Sequence, residues 1–67
     1  MRVIRWAMDQ IVIKTLSGNG SNAGMIVDKL NLPEVLGSIA GDDTLLIVAT
    51  DEEKAKIVVE KLNEFLK

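Results

Sequence analysis

The five residues Leu45-Leu46-Ile47-Val48-Ala49 are apolar without a break, and no other feature limits the possible folds of this chain so strongly. A strand wetted on one face alternates apolar and polar positions, so an unbroken apolar strand implies burial on both sides. Ile11-Val12-Ile13 carries the same implication for an earlier strand. A polypeptide of 67 residues has room for one domain, and a chain that short buries only about 60% of the surface its unfolded form exposes. Small domains compensate with disulfides, a structural metal or association. Cys and His are both absent here, which removes disulfides and the nitrogen and sulfur ligands of a zinc site. Association is left.

The chain as a whole reads as two helices and four strands. Val3 to Trp6 and Gln10 to Leu16 read as strands, rich in the β-branched residues that a pleated surface accepts. Ala7-Met8-Asp9 between them is short enough for an antiparallel hairpin. Ser17 to Asn22 is a cluster of turn formers, after which Ala23, Ile26, Val27 and Leu30 recur at helical spacing. Asn19 and Ser21 are both candidate caps for that helix, which must end before Pro33. Pro33 to Gly37 reads as a single helical turn, Ser38-Ile39-Ala40 as a short extended piece, and Gly41-Asp42-Asp43 as a tight turn. Thr44 to Ala49 is the strong strand. Thr50-Asp51-Glu52-Glu53 has the form of a capping box, and Ala55, Val58, Val59, Leu62, Phe65 and Leu66 then line one face of a last helix. The expected fold is α+β, a two-layer ββαββα arrangement of one small antiparallel sheet with two helices packed on one face. Two helices cover one side of such a sheet and leave the other, so another subunit is expected over the second face.

Charge and residue types exclude several functions. Eight basic against ten acidic residues give a net charge of −2, the wrong sign for a segment that holds DNA through its phosphates. No apolar run approaches the roughly 20 residues that cross a bilayer, so no membrane role is expected. Met1 to Trp6 is too short and interrupted for a signal peptide, which makes the cytoplasm the expected location. Without Cys, His or Tyr the common nucleophile–base pairs are unavailable. Asp28, Asp42 and Asp43 are the remaining acid–base or Mg²⁺ candidates, but no catalytic residue is assigned. Gly18-Asn19-Gly20 precedes a helix, yet it lacks the lysine and the spacing of a phosphate-binding loop.

Gly41-Asp42-Asp43-Thr44 is the unusual segment. Turn chemistry uses Asp freely, and that is one reading. The other is a cation site: adjacent carboxylates repel, and they gain most where a positive group arrives beside them. A guanidinium suits them, since its planar fork meets a carboxylate through two parallel hydrogen bonds.

Val12-Ile13-Lys14-Thr15, Gly18-Asn19, a helix bearing Asp28, and above all Leu36-Gly37-Ser38-Ile39-Ala40-Gly41-Asp42-Asp43-Thr44 resemble the C-terminal domain of bacterial arginine repressors, in order and nearly in spacing over almost the whole chain. The resemblance implies a hexamer of two stacked trimers with L-arginine bound between them as corepressor and no other cofactor. It also implies that operator DNA is bound only by a winged helix-turn-helix domain absent from this chain. Carried over residue by residue, Asp42 meets the guanidinium from the facing trimer, and Asp43 supports that acidic patch or holds the turn. Asp28 engages the α-amino end, Ser38 and Ala40 face the ligand with their backbones, and Asn19 lies in the neighbouring loop. Two positions depart from the family pattern. Ser17 replaces a usual Pro, and Ser21 stands where many members have a Gln that helps hold the amino-acid end. A serine needs a water to reach as far, and it is equally a plain helix cap. The leading expectation is thus a ligand-gated interface. A pure oligomerisation module indifferent to arginine is the alternative, and a small carboxylate enzyme with a metal at Asp42 and Asp43 is the third.

Overall fold

The computed structural model describes residues 3–65. Its elements run β1 (Val3–Ala7), β2 (Gln10–Lys14), α1 (Gly20–Leu30), β3 (Val35–Ala40), β4 (Thr44–Ala49) and α2 (Glu52–Phe65). The strands form one antiparallel sheet in the order β1-β2-β4-β3. α1 packs on β3 and β4, and α2 touches all four strands. The α+β architecture and the ββαββα order are as expected.

Period-two alternation governs both central strands. Ile11, Ile13, Leu45, Ile47 and Ala49 point to the helices and are buried with Ala23, Val27, Ala55, Val58 and Leu62. Val12, Leu46 and Val48 point the other way and are only half-buried. Val3 and Ile39, 48% and 74% exposed, extend that second face. The chain's own helices therefore cover one side of the apolar run and leave the other open. On α1 the core contacts come from Ala23 and Val27, while Ile26 remains 38% exposed at the flank. On α2, Phe65 is exposed, and Leu66 lies outside the described residues.

Four local readings need correction. Pro33 to Gly37 is not a helical turn: β3 begins at Val35 and pairs with β4, with a bulge between Val35 and Gly37. Leu-Pro-Glu-Val is good helix-start sequence and does make one turn over Leu32 to Val35, but the turn is not continued and the backbone from Glu34 on serves the ladder. The Val35 N–H donates to the Leu32 carbonyl at 3.1 Å and the Thr50 N–H to the Glu34 carbonyl at 3.0 Å. β2 stops at Lys14 rather than Leu16: the Thr15 N–H still donates in register to the Asp43 carbonyl, but Leu16 already belongs to the turn into α1, its carbonyl accepting the Asn19 N–H at 3.0 Å. Ser21 does not cap α1. The helix starts at Gly20 with Asn19 in the cap position, and even there no side-chain cap bond forms. Lastly, α2 is capped by Asp51, whose Oδ1 accepts the Lys54 N–H at 2.8 Å. Thr50 is one residue too early for the expected box.

The β1–β2 hairpin turns through Met8 and Asp9, with Ala7 paired to Gln10 and Met8 at φ 56°. Lys61 Nζ sits 3.0 Å from Glu34 Oε1 and ties the approach to β3 onto α2. The hydrogen bond from Lys61 is the main cause holding the Glu34 carboxyl below its ordinary value. A depressed acid contributes stability above its unfolded pKa and loses it as the pH falls through the folded one. This pair therefore helps at neutral pH and ceases to help in acid.

Candidate functional site

The turn between β3 and β4 is fixed from three sides by backbone hydrogen bonds. The Gly41 N–H donates to the Thr44 carbonyl at 2.7 Å, closing the turn around Asp42 and Asp43. The Thr15 N–H donates to the Asp43 carbonyl at 2.7 Å, and the Gly20 N–H to the Asp42 carbonyl at 2.9 Å. The last bond satisfies one of the free N–H groups at the start of α1. It also explains Gly20. A Cβ built there would overlap the Gly41 carbonyl oxygen and stand 2.8 Å from its carbon and 3.1 Å from the Asp42 oxygen. Only a residue without a side chain lets helix and turn meet this closely.

With their backbones held, the two aspartates differ in their side chains. Asp43 Oδ1 accepts the Thr44 hydroxyl at 2.8 Å, and Thr44 Oγ1 accepts Lys14 Nζ at 3.0 Å. The Asp42 carboxylate is exposed and has no hydrogen-bond or ion-pair partner among the described residues. A rigid backbone presenting an unpaired carboxylate is suited to a cationic group with several donors.

The other sequence-derived residues fall into two further places. Asn19 and Ser21 lie beside the turn at the start of α1. Asn19 Oδ1 accepts Asn22 Nδ2 at 3.3 Å, and Ser21 is an exposed residue of the helix's first turn. Asn19 and Asn22 also line a shallow concavity with Thr15, Ala23 and Ile26. Asp28 stands eight residues beyond Gly20, about 12 Å along the helix at its usual rise. There it lines a second hollow with Asn31, Leu32, Leu36 and Gly37. One chain thus does not bring Asp28 together with Asp42 and Asp43.

Ser38 and Ala40 sit on the edge strand, opposite Ile47 and Leu45 and hence on the helix-covered face. Their backbone groups face outward. Gly41 and Thr44 form a hydrogen-bonded pair, and bonded and non-bonded pairs alternate along an antiparallel ladder. Ile39 and Leu46 are therefore the next bonded pair, which leaves the N–H and C=O of Ser38 and Ala40 at the free edge.

Sequence reasoning missed Gly20, Lys14 and Thr44 as parts of this site. Gly20 had a signal in its place after Asn19, but that place reads equally as an ordinary turn. The contacts of Lys14 and Thr44 depend on strand register and have no local signature. Among the described residues no group of three or more carboxylates clusters as a metal site would require, and no helix is long and apolar enough to cross a membrane.

Comparison with known proteins identifies the family. The chain matches the family described as "Arginine repressor, C-terminal domain" over residues 1–64. It is 48% identical over 62 residues to the arginine repressor of Acetivibrio thermocellus, a match covering 92% of this chain and 40% of that protein. To the arginine repressor of Carboxydothermus hydrogenoformans it is 46% identical over 56 residues, covering 84% of this chain and 37% of the relative. To that of Ruminiclostridium cellulolyticum it is 45% identical over 62 residues, covering 92% and 41%. The chain spans about two fifths of the length of these curated relatives. With nearly every residue inside the family match, and with relatives 45–48% identical over most of its length, the chain belongs to the arginine repressor C-terminal domain family.

Proposed function

We propose that this chain is the ligand-sensing and oligomerising part of an arginine-dependent transcriptional regulator of arginine metabolism. It binds L-arginine as a corepressor where two trimers meet, and it acts by binding rather than by catalysis. One observation carries the reading: Asp42 is held out unpaired on a clamped turn that docks at Gly20, while Asp28 lies about 12 Å farther along α1 from that contact. A ligand with a guanidinium at one end and an amino group at the other engages both kinds of acid most readily when two chains supply them. Such a ligand binds the joined state alone and stabilises it by mass action. In this scheme Asp42 takes the guanidinium, Asp28 the α-amino group, and the free-edge backbone of Ser38 and Ala40 the remaining polar atoms. Asn19 and Ser21 border the same space. DNA is contacted by a separate domain of the parent protein, in the cytoplasm.

Calorimetric titration with L-arginine and with L-citrulline tests this. Citrulline keeps the shape and loses the charge, so it forfeits the charge-assisted bonds, worth about 1.5–3 kcal/mol each. Arginine is expected to bind at least on the order of tenfold tighter. Equal affinities would remove the guanidinium from the account.

The open sheet face favours a second reading, an assembly that forms without arginine. Val12, Leu46, Val48 and Ile39 offer apolar surface whose burial needs no ligand. Ser21, shorter than the Gln of the family pattern that the resemblance implies, fits it too. Under that reading the molar mass is the same with and without arginine.

A further inference from the structure

We infer that Lys14 and Thr44 are positioning residues that hold Asp43 back on the turn and so leave Asp42 as the one member of the acidic pair that meets the guanidinium. The inference rests on the arginine-binding reading above.

Its basis is the direction of the relay. An ammonium only donates hydrogen bonds, an ionised carboxylate only accepts them, and a hydroxyl has one proton to give. With Lys14 Nζ at 3.0 Å and Asp43 Oδ1 at 2.8 Å, the Thr44 hydroxyl can be satisfied in one sense only, from Lys14 through Thr44 to Asp43. Lys14 and Thr44 are register partners on neighbouring strands, so their side chains share the open face of the sheet. The relay therefore starts on a rigid ladder and ends on the turn. Asp43 is pinned at both its carbonyl, by the Thr15 N–H, and its carboxylate. Asp42 is pinned only at its carbonyl. The lysine charge also lies one hydroxyl away from Asp43, which offsets the repulsion between the adjacent acids and leaves the uncompensated charge on Asp42.

Two roles for Lys14 predict opposite signs. A lysine that acts only as a distant charge repels arginine, and its removal tightens binding. A lysine that orients the turn aids arginine, and its removal weakens binding. Calorimetry with L-arginine on the unaltered chain, Lys14→Met, Thr44→Val, the double variant and Thr44→Ser separates them. Lys14 is exposed and valine keeps the shape and strand preference of Thr44, so circular dichroism should show all five folded alike.

Lys14→Met and Thr44→Val are each expected to weaken arginine about tenfold, the scale of one lost hydrogen bond. The double variant should be no weaker than about twofold below the poorer single, as members of one network are not additive. Thr44→Ser, which restores the hydroxyl, should recover binding to within about threefold of the unaltered chain, less than the loss of one hydrogen bond. Tighter binding by Lys14→Met, unchanged binding by both single variants, or a serine variant as impaired as valine would each overturn the inference while leaving the arginine site standing. No binding by the unaltered chain would overturn both.

Discussion

Gly20→Ala is expected to be the most damaging single-methyl change in the domain, lowering its stability by about 2–3 kcal/mol. Alanine is the better helix former by about 0.8–1.0 kcal/mol in a helix interior, so propensity alone predicts a gain. Sterics decide otherwise. The new Cβ meets the backbone of Gly41 and Asp42, which cannot rotate away as a flexible side chain can. Forcing a methyl into such a contact costs about 1–3 kcal/mol, and undocking the turn also forfeits the Gly20–Asp42 hydrogen bond, about 0.5–1.5 kcal/mol. A chain of this length holds only about 0.05–0.15 kcal/mol per residue, so the loss is a large share of the whole. Thermal melting should fall by about 10–20 °C. Gly37→Ala is the control, since its added Cβ meets nothing within 4 Å, and it should stay within about 0.5 kcal/mol. Both need the same chain concentration, because association raises apparent stability. A Gly20→Ala melt indistinguishable from the parent would show that helix and turn do not touch as described.

The second large effect falls on binding and spares the fold. Asp42→Asn should weaken L-arginine by about 2–5 kcal/mol, the cost of leaving one member of a buried charge pair without its partner. That is on the order of 30-fold or more. The side chain is exposed and bonds to nothing among the described residues, and the turn is held by its backbone, so melting should hardly change. Calorimetry and thermal denaturation on the same preparation check both halves. An unchanged affinity would take Asp42 out of the site.

These effects differ in how visible they were from sequence. The element order and the buried stripe could be read because β-branched runs and helical spacing record the local environment directly. The Pro33 to Gly37 segment could not, since its local preference for a helical turn is overridden by pairing with Val48 and Ala49. The same holds for the start of α2, where Thr50 and Asp51 are both good caps and only the geometry selects Asp51. At the site, the acidic pair stood out by adjacency alone. What distinguishes its two members is a threonine next in sequence and a lysine 29 residues away from Asp43, brought together by register. The close approach at Gly20 joins residues more than 20 positions apart and leaves no local trace. Likewise, an unbroken apolar run indicated two buried faces, but only the alternation in three dimensions identifies Leu46 and Val48 as the pair left uncovered.

Open sheet and acidic turn together make assembly the quantity to follow. Molar mass in solution, measured by light scattering on the 7.3 kDa chain across an arginine series with citrulline in parallel, tests the account most directly. Arginine should drive the mass from that of three chains toward that of six, and citrulline at the same concentrations should leave it unmoved. A mass that ignores arginine, or that responds equally to both amino acids, would contradict it.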